Sequence, residues 1–182
     1  MKIALIGAGN LATRLGVALV AGGQSVVQVY SRTEASAAAL GKTLHCPAVT
    51  SLEQVCRDAD VYIVAVKDAA FSGVAASLVS GRSRALFVHT AGSLPMSVWE
   101  GVASRHGVFY PMQTFSKQRE VDFSAIPIFI EANNAVDLTL LKALASALST
   151  QVYEADSRQR RALHLAAVFA CNFTNHMYAL CG

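Results

Sequence analysis

The sequence predicts an α/β fold built on a doubly wound, mostly parallel sheet. Short apolar segments alternate with helical segments through residues 2–155. The segment VYIVAV (61–66) is a continuous apolar run, as expected of a central parallel strand that is covered on both faces. A glycine-rich turn joins the first strand to the first helix. Alternating strands and helices at this spacing are typical of a parallel sheet with helices on both faces.

The first predicted unit is a strand, a helix and a second strand. Residues 2–6 (KIALI) and 25–30 (SVVQVY) have the length and apolar content of short buried strands. The helical pattern between them covers residues 10–21 and ends at Gly22 and Gly23, because glycine commonly follows the last turn of a helix.

The same alternation continues to residue 155. Thr33 is expected to cap the second helix, and Thr50 or Ser51 to cap a short third helix. Residues 112–125 contain four charged side chains and are predicted to form an exposed loop. The remaining strands are predicted at 61–66, 84–90, 107–111, 126–132 and 151–155, and the remaining helices at 33–42, 50–60, 69–80, 94–106 and 135–149.

The turn after the first strand fits the pattern G-x-G-x-x-A through Gly7, Gly9 and Ala12. In this pattern the first glycine permits a tight turn, the second lets backbone N–H groups approach a pyrophosphate, and the small third residue lets helix and strand pack closely. The positive end of the helix dipole adds to the attraction for phosphate. We therefore predict a Rossmann dinucleotide-binding site. The alternative is a tight turn that binds no ligand.

The end of the second strand indicates which dinucleotide is bound. NAD sites place an acidic residue there to bind the ribose 2′-hydroxyl, whereas this chain has Ser31, Arg32 and Thr33. Two hydroxyls and a guanidinium suit the 2′-phosphate of NADP, and charge-assisted hydrogen bonds contribute roughly 1.5–3 kcal/mol each. The predicted cofactor is therefore NADP. The alternative is that Arg32 is a solvated side chain beside a helix cap.

Further site residues are expected at the carboxyl ends of the strands, where ligands bind in such sheets. Val66 and Lys67 should flank the adenine ribose or the phosphates. Thr90, Ala91 and Gly92 should lie near the nicotinamide, because a turn of small residues lets a ring approach closely. The alternatives are a solvated lysine and an ordinary connection between a strand and a helix.

The C-terminal segment, residues 156–182, is predicted to form one long helix. After Ala162 this helix is apolar on nearly every face, so a second helical layer or another subunit must cover it. Its polar residues include His164 and Asn172, which lie about 80° apart around an α-helix. We predict that these two are catalytic residues that hydrogen-bond the substrate or supply a proton. The alternative is a pair of satisfied polar groups in a helical interface.

Composition and charge exclude several classes of protein. Hydrophobic residues make up 53% of the 182 residues and charged residues 15%, which excludes a disordered chain. The net charge of +3 includes no basic block, so nucleic-acid binding is not predicted. Neither an apolar run long enough for a membrane span nor a His/Cys cluster with metal-ligand spacing is found. Four cysteines without a CxxC pair are typical of reduced thiols, so we expect a cytoplasmic protein.

Six stretches carry a resemblance that covers essentially the whole chain: IGAGNLATRL, VYSRT, VAVKD, HTAGSLPM, VFYPMQTFS and EADSRQRRALHLAAVFACNFTNHMYAL. Together they resemble bacterial oxidoreductases with a Rossmann-like N-terminal domain and an uncharacterised helical C-terminal domain. These are similar in turn to pyrroline-5-carboxylate reductase and to the NADP-dependent deazaflavin reductases. The resemblance implies a nicotinamide-side turn at residues 90–92 and NADP contacts at Gly7, Gly9, Asn10, Leu11, Ser31, Arg32 and Lys67.

The same resemblance implies a helical domain that continues past residue 182, so that the chain would be truncated. The final helix departs from pyrroline-5-carboxylate reductase, because RALHLAAVFACN stands where that family has a Ser-Gly-Ser-Gly-Pro turn. This departure argues against proline synthesis. We expect residues 1–155 to form the dinucleotide-binding domain. Residues 156–182 should begin an all-α domain whose helix pairs two chains into a homodimer.

The sequence therefore predicts an NADP-dependent oxidoreductase that transfers hydride to a small carbonyl or imine substrate. The alternative from another class is a non-catalytic NADP-binding sensor or structural dimer, and a nucleotide-free scaffold is the third possibility. The predicted catalytic residues are His164 and Asn172, and the predicted cofactor-binding residues are Gly7, Gly9, Asn10, Leu11, Ala12, Ser31, Arg32, Thr33, Val66, Lys67, Thr90, Ala91 and Gly92.

Overall fold

The computed structural model describes residues 1–181 and confirms the predicted α/β architecture. Within this range the strands are β1 (Lys2–Ile6), β2 (Ser25–Tyr30), β3 (Ala48–Val49), β4 (Val61–Val64), β5 (Leu86–His89), β6 (His106–Pro111), β7 (Ile128–Ala132) and β8 (Val152–Glu154). The α-helices are α1 (Asn10–Ala21), α2 (Glu34–Leu44), α3 (Phe71–Val79), α4 (Ala135–Ser146), α5 (Ser157–Ala167) and α6 (Thr174–Cys181).

All of these strands belong to one sheet, in the order β3-β2-β1-β4-β5-β6-β7-β8. Neighbouring strands run parallel except for β6 and β7, which are antiparallel. The connection between these two strands, residues 112–127, contains no α-helix to carry the chain back across the sheet. Its ends meet instead, since the Met112 amide donates to the Pro127 carbonyl over 2.9 Å. The strand order reverses between β1 and β4, which is where such sheets form their ligand crevice.

The core has two layers because successive strand residues point to opposite faces of the sheet. On β1, Ile3 and Leu5 pack toward α1, α2 and α4, whereas Ala4 and Ile6 pack toward α3 and the buried Trp99. All four of these β1 side chains are fully buried. Continuous apolar strands therefore mark the centre of the sheet, as the sequence predicted.

The helix predicted at residues 50–60 is wrong: the structure has only a short 3-10 turn at Leu52–Gln54, capped by Ser51. The buried guanidinium of Arg82 explains the difference, because it donates to carbonyl oxygens of this segment, including that of Cys56 at 2.9 Å. Those oxygens are then bonded to a side chain that lies far along the chain, and a helix is not needed to satisfy them.

The helix predicted at residues 94–106 is also wrong, and only a 3-10 turn at Met96–Trp99 forms. The Trp99 ring is fully buried and meets the Phe71 ring edge-on, with 4.8 Å between their centroids. Gly101 follows with a φ of 72°, a left-handed conformation that ends regular helix.

The predicted C-terminal helix forms from Ser157 to Cys181, but it is not α-helical throughout. A capping box at Asp156 and Gln159 begins α5, and a π-helical segment at Val168–Phe173 separates α5 from α6. Residue 182 lies outside the described residues. No helix within residues 1–181 combines the length and the apolar character needed to cross a membrane.

Candidate cofactor and substrate site

A cavity of about 670 Å³ opens at the carboxyl ends of β1, β2 and β4. The loop between β1 and α1 forms one wall, and the segments that follow β2 and β4 form the others. Seven of the predicted cofactor residues line it: Gly7, Gly9, Asn10, Ser31, Arg32, Val66 and Lys67.

The loop between β1 and α1 has the geometry that the glycine pattern predicts. Gly7 has a φ of 122°, and a Cβ there would lie 2.2 Å from the Ala65 carbonyl oxygen, so only glycine fits. A Cβ on Gly9 would meet nothing within 4 Å, which leaves open space in front of the loop. No side chain caps α1, so the first N–H groups of this helix remain available to phosphate oxygens.

The charges around this cavity fit a dinucleotide with an additional phosphate. Arg32, Lys67 and Lys117 line it, and no carboxylate does so among residues 1–181. Within the same range, no ion pair forms at any of these three cations. Lys117 was missed by the sequence analysis, because it belongs to the loop between β6 and β7, far along the chain. The cavity therefore has the chemistry that NADP requires.

Three predicted cofactor residues, Leu11, Ala12 and Thr33, do not line this cavity. Ala12 is fully buried and Leu11 packs against the same core cluster, so both support α1 from below. Thr33 stands at the N-cap position of α2, but its side chain makes no capping hydrogen bond. Direct contact of these residues with the cofactor stays a prediction.

A second, smaller cavity of about 280 Å³ brings the two predicted catalytic residues together. His164 from α5 and Asn172 from the π-helical segment line it, opposite Tyr110 at the end of β6 and the following residues 112–114. No Lys, Arg, Asp or Glu side chain from the described residues lines it. Within residues 1–181, no three His, Cys, Asp or Glu side chains lie close enough together to hold a metal ion.

The predicted nicotinamide turn contacts the predicted catalytic histidine. A Cβ on Gly92 would lie 2.6 Å from His164 Nδ1 and 2.7 Å from Tyr110 Cζ, so both rings press against the glycine. Thr90 is buried in the same turn, with its hydroxyl 3.4 Å from the Val64 carbonyl oxygen. The turn at residues 90–92 thus lies against two residues that line the second cavity, although its own residues line neither cavity.

Tyr110 is a candidate site residue that the sequence did not indicate. Its hydroxyl lies 2.9 Å from His164 Nδ1. Burial raises the pKa of Tyr110, and the positive charge of Arg160 opposes that shift only in part. The phenol is therefore protonated at neutral pH and can donate to Nδ1 in the tautomer of His164 that carries its ring proton on Nε2.

A buried ion pair fixes the helix that carries His164. Arg160, one turn before His164, is fully buried and pairs with Glu131 on β7. Its guanidinium also donates to the Leu94 carbonyl over 2.6 Å. The Ser157 hydroxyl donates to Glu131 and accepts from the Met96 amide. These bonds tie α5 to the sheet and to the segment that follows the Gly92 turn.

Two family models match the chain. Residues 2–92 match the family described as NADP oxidoreductase, coenzyme F420-dependent. Residues 126–182 match a domain of unknown function, DUF2520. No curated protein matches the sequence.

Solved structures show the same fold. The crystal structure of a "putative NADP oxidoreductase" from Bacteroides fragilis is 60% identical, with a TM-score of 0.95 over 98% of this chain and 70% of that one. An imine reductase from Myxococcus stipitatus in complex with NADP+ is 16% identical, with a TM-score of 0.76 over 98% and 64% of the two chains. A pyrroline-5-carboxylate reductase from Coxiella burnetii is 20% identical, with a TM-score of 0.70 over 85% and 58%.

The chain thus spans 58–70% of the length of these three structures. At 16% and 20% identity, the similarity to these two reductases shows only that the fold is shared. The match over residues 2–92 and the 60% identity confirm the predicted oxidoreductase class and the predicted cofactor, NADP. The chain belongs to the family described as NADP oxidoreductase, coenzyme F420-dependent.

Proposed function

We propose that the protein transfers hydride between NADP and a small carbonyl or imine substrate. When bound, NADP supplies or accepts the hydride at its nicotinamide. One observation carries the proposal: His164 and Tyr110 both press against Gly92, in the turn where the nicotinamide is expected. A cavity of about 280 Å³ that is lined by both rings has room for a small substrate.

The proposed role of His164 is to donate the Nε2 proton to the carbonyl oxygen or imine nitrogen of the substrate while its Nδ1 takes the hydroxyl proton of Tyr110, which water then replaces. In this proposal the Tyr110 hydroxyl donates to Nδ1 before the transfer, so the ring proton of His164 is on Nε2. Asn172, on the wall of the same cavity, can hydrogen-bond the substrate through its side-chain amide. General acid catalysis of this kind typically contributes about 10²–10⁴-fold to a rate.

The proposed cofactor site runs from the end of β2 to the turn after β5. Arg32 and its neighbours are expected to hold the 2′-phosphate, and the loop before α1 to hold the pyrophosphate. Replacing Arg32 with aspartate should therefore lower NADP+ affinity by about two orders of magnitude, with little effect on NAD+. A wild-type protein that prefers NAD+ would contradict this assignment. The proposed site comprises Gly7, Gly9, Asn10, Leu11, Ala12, Ser31, Arg32, Thr33, Val66, Lys67, Thr90, Ala91 and Gly92.

The test is NADPH oxidation over a panel of 2-keto acids, cyclic imines and a deazaflavin, followed by the loss of NADPH absorbance. With a substrate found, His164→Gln should lower kcat at least a hundredfold and leave NADP+ affinity within about twofold of wild type. His176→Gln is the matched control, because His176 is an exposed histidine on α6. Binding of NADP+ without turnover across the panel would favour the non-catalytic sensor or structural dimer.

We also propose that residues 156–182 begin a helical domain that pairs two chains, beside a dinucleotide-binding domain at residues 1–155. Large apolar side chains exposed along the helix support this, among them Leu165, Phe169 and Tyr178. Light scattering should give the mass of a dimer. The cysteines of residues 1–181 form no disulfide, which agrees with the proposed cytoplasmic location.

A further inference from the structure

The loop between β6 and β7, residues 112–127, reaches the first cavity and brings Lys117 to its wall. We name this loop the strap. Its two ends meet at the edge of the sheet, where the Met112 amide donates to the Pro127 carbonyl. The strap thus leaves the sheet and returns to it at one place, and its middle is hydrogen-bonded to a side chain of α1.

The strap is largely exposed, as predicted for residues 112–125, but two of its aromatic side chains are buried. Phe115 and Phe123 are buried in the main core and stack on each other, with 5.7 Å between ring centroids. The Asp122 carboxylate accepts from the Ser124 amide and begins a short 3-10 turn. A buried aromatic residue therefore fixes each end of the segment 116–122.

Arg14 connects the middle of the strap to α1. Its Nε donates to the Ser116 carbonyl over 2.9 Å, and its Nη2 donates to the Lys117 carbonyl over 2.5 Å. Arg14 lies four residues after Asn10, which is about 6 Å along the helix axis. The backbone of Lys117 is thereby held beside the first turns of α1. The backbone N–H groups at the start of this helix are those proposed to bind the pyrophosphate.

The charges favour an anion at this point. The Lys117 ammonium has no hydrogen-bond or ion-pair partner among residues 1–181, and no carboxylate from that range lines the cavity. The other basic residue of the strap, Arg119, does not line it. An ammonium next to a cluster of N–H groups supplies the positive charge that a pyrophosphate requires.

We propose that Lys117 binds the pyrophosphate of the dinucleotide and that Arg14 is the residue that positions it. This inference rests on the proposed cofactor site and adds to it a residue from the loop between β6 and β7. Since the pyrophosphate is common to both dinucleotides, Lys117 should contribute equally to the binding of NADP+ and NAD+. Arg32 differs in this respect, because it should act on NADP+ alone.

Calorimetric titration of NADP+ and NAD+ into Lys117→Met and wild type tests the proposal. The expected result is a loss of affinity of about tenfold for both nucleotides, the effect of one charge-assisted contact. Arg119→Met removes the same charge two residues away and should remain within about twofold of wild type. Binding of Lys117→Met within twofold of wild type would overturn the proposal, and so would a loss confined to NADP+.

A double-mutant cycle tests the positioning role of Arg14. If Arg14 acts through Lys117, the two losses of affinity are coupled, whereas an unrelated structural effect of Arg14 would add to that of Lys117. Arg14→Leu should weaken both nucleotides, and the double variant Arg14→Leu/Lys117→Met should bind no worse than Lys117→Met alone. Independent, additive losses would overturn the coupling. A wild-type chain that binds neither nucleotide would refute the cofactor site itself, whereas normal wild-type binding with an unaffected Lys117→Met refutes only the present inference.

Discussion

Gly92 lies where two elements distant in the chain meet. His164 from α5 and Tyr110 from β6 both occupy the space that a side chain on this residue would need. A close approach of this kind demands glycine even though the backbone has no positive φ. The sequence indicated a turn of small residues here, and the structure supplies the reason why one of them must be the smallest.

Replacing Gly92 with alanine should displace the His164 ring, because the new Cβ would lie 2.6 Å from Nδ1. We expect kcat to fall at least tenfold, since a misplaced general acid loses most of its effect. Steady-state kinetics on an active substrate provides the measurement. Gly73→Ala is the matched control, because a Cβ there meets nothing within 4 Å. Full activity in Gly92→Ala would show that His164 plays no part in the reaction.

His89 occupies a buried position at the end of β5. Its Nδ1 accepts a hydrogen bond from the Ala91 amide at 3.2 Å, and the Phe71 ring meets it edge-on. Burial, with a smaller contribution from Arg160, lowers the pKa of His89 to about 3. The folded protein therefore holds this imidazole neutral, whereas the unfolded chain protonates it near its ordinary pKa of 6.5.

His89 should therefore make stability depend on pH. The unfolded state binds its proton first, so the free energy of unfolding should fall as the pH drops below about 6.5. Between pH 6.5 and 5 this histidine alone should cost roughly 2 kcal/mol. Urea denaturation of wild type and His89→Asn at the two pH values isolates its share. An equal fall in both proteins would assign the effect to the other histidines.

At the scale of elements, the attachment of α5 depends on the buried pair of Arg160 and Glu131. Arg160 is fully buried while Glu131 is largely so, and both also bond the Ser157 hydroxyl. Removing one partner from such a pair leaves an uncompensated buried charge. The geometry of His164, one turn further along α5, therefore depends on a contact between distant elements.

Replacing Arg160 with methionine should lower the free energy of unfolding by about 3–5 kcal/mol, and the double variant Arg160→Met/Glu131→Leu should recover part of this loss. Urea denaturation is the measurement. Arg158→Met, an exposed arginine on the same helix, should change stability by less than about 0.5 kcal/mol. A double variant less stable than Arg160→Met would indicate that Glu131 has a stabilising role apart from the pair.

The elements that the sequence mispredicted share one cause. Residues 50–60 and 94–106 have helical composition, yet each forms only a 3-10 turn. Arg82 takes up the carbonyl groups of the first segment, and burial of Trp99 sets the path of the second. Both partners lie outside the local sequence window, so periodicity alone could not reveal them.

For the whole molecule, NADP binding and stability are linked. A ligand that binds only the folded state at a hundred times its Kd adds about 2.7 kcal/mol to stability. For a chain of this size the melting temperature should then rise by roughly 5–10 °C. Scanning calorimetry with NADP+, with NAD+ at the same concentration as the control, provides the test. An unchanged melting temperature with NADP+ would leave the nucleotide-free scaffold as the explanation.

The sequence by itself determined the parallel α/β sheet, the glycine turn and the choice of NADP. Each of these depends on residues a few positions apart, where spacing dictates backbone geometry and local charge. It also selected His164 and Asn172 on the final helix, although a π-helical segment replaces the α-helical spacing that was assumed between them.

Only the tertiary structure decided which side chains stand beside those residues. Tyr110 reaches His164 across 54 positions of sequence, Arg14 holds Lys117 across 103, and Glu131 pairs with Arg160 across 29. Such contacts arise from the order of the strands and from the antiparallel return of β7. No local pattern encodes them, because chain segments that meet at one edge of a sheet are placed there by the whole fold.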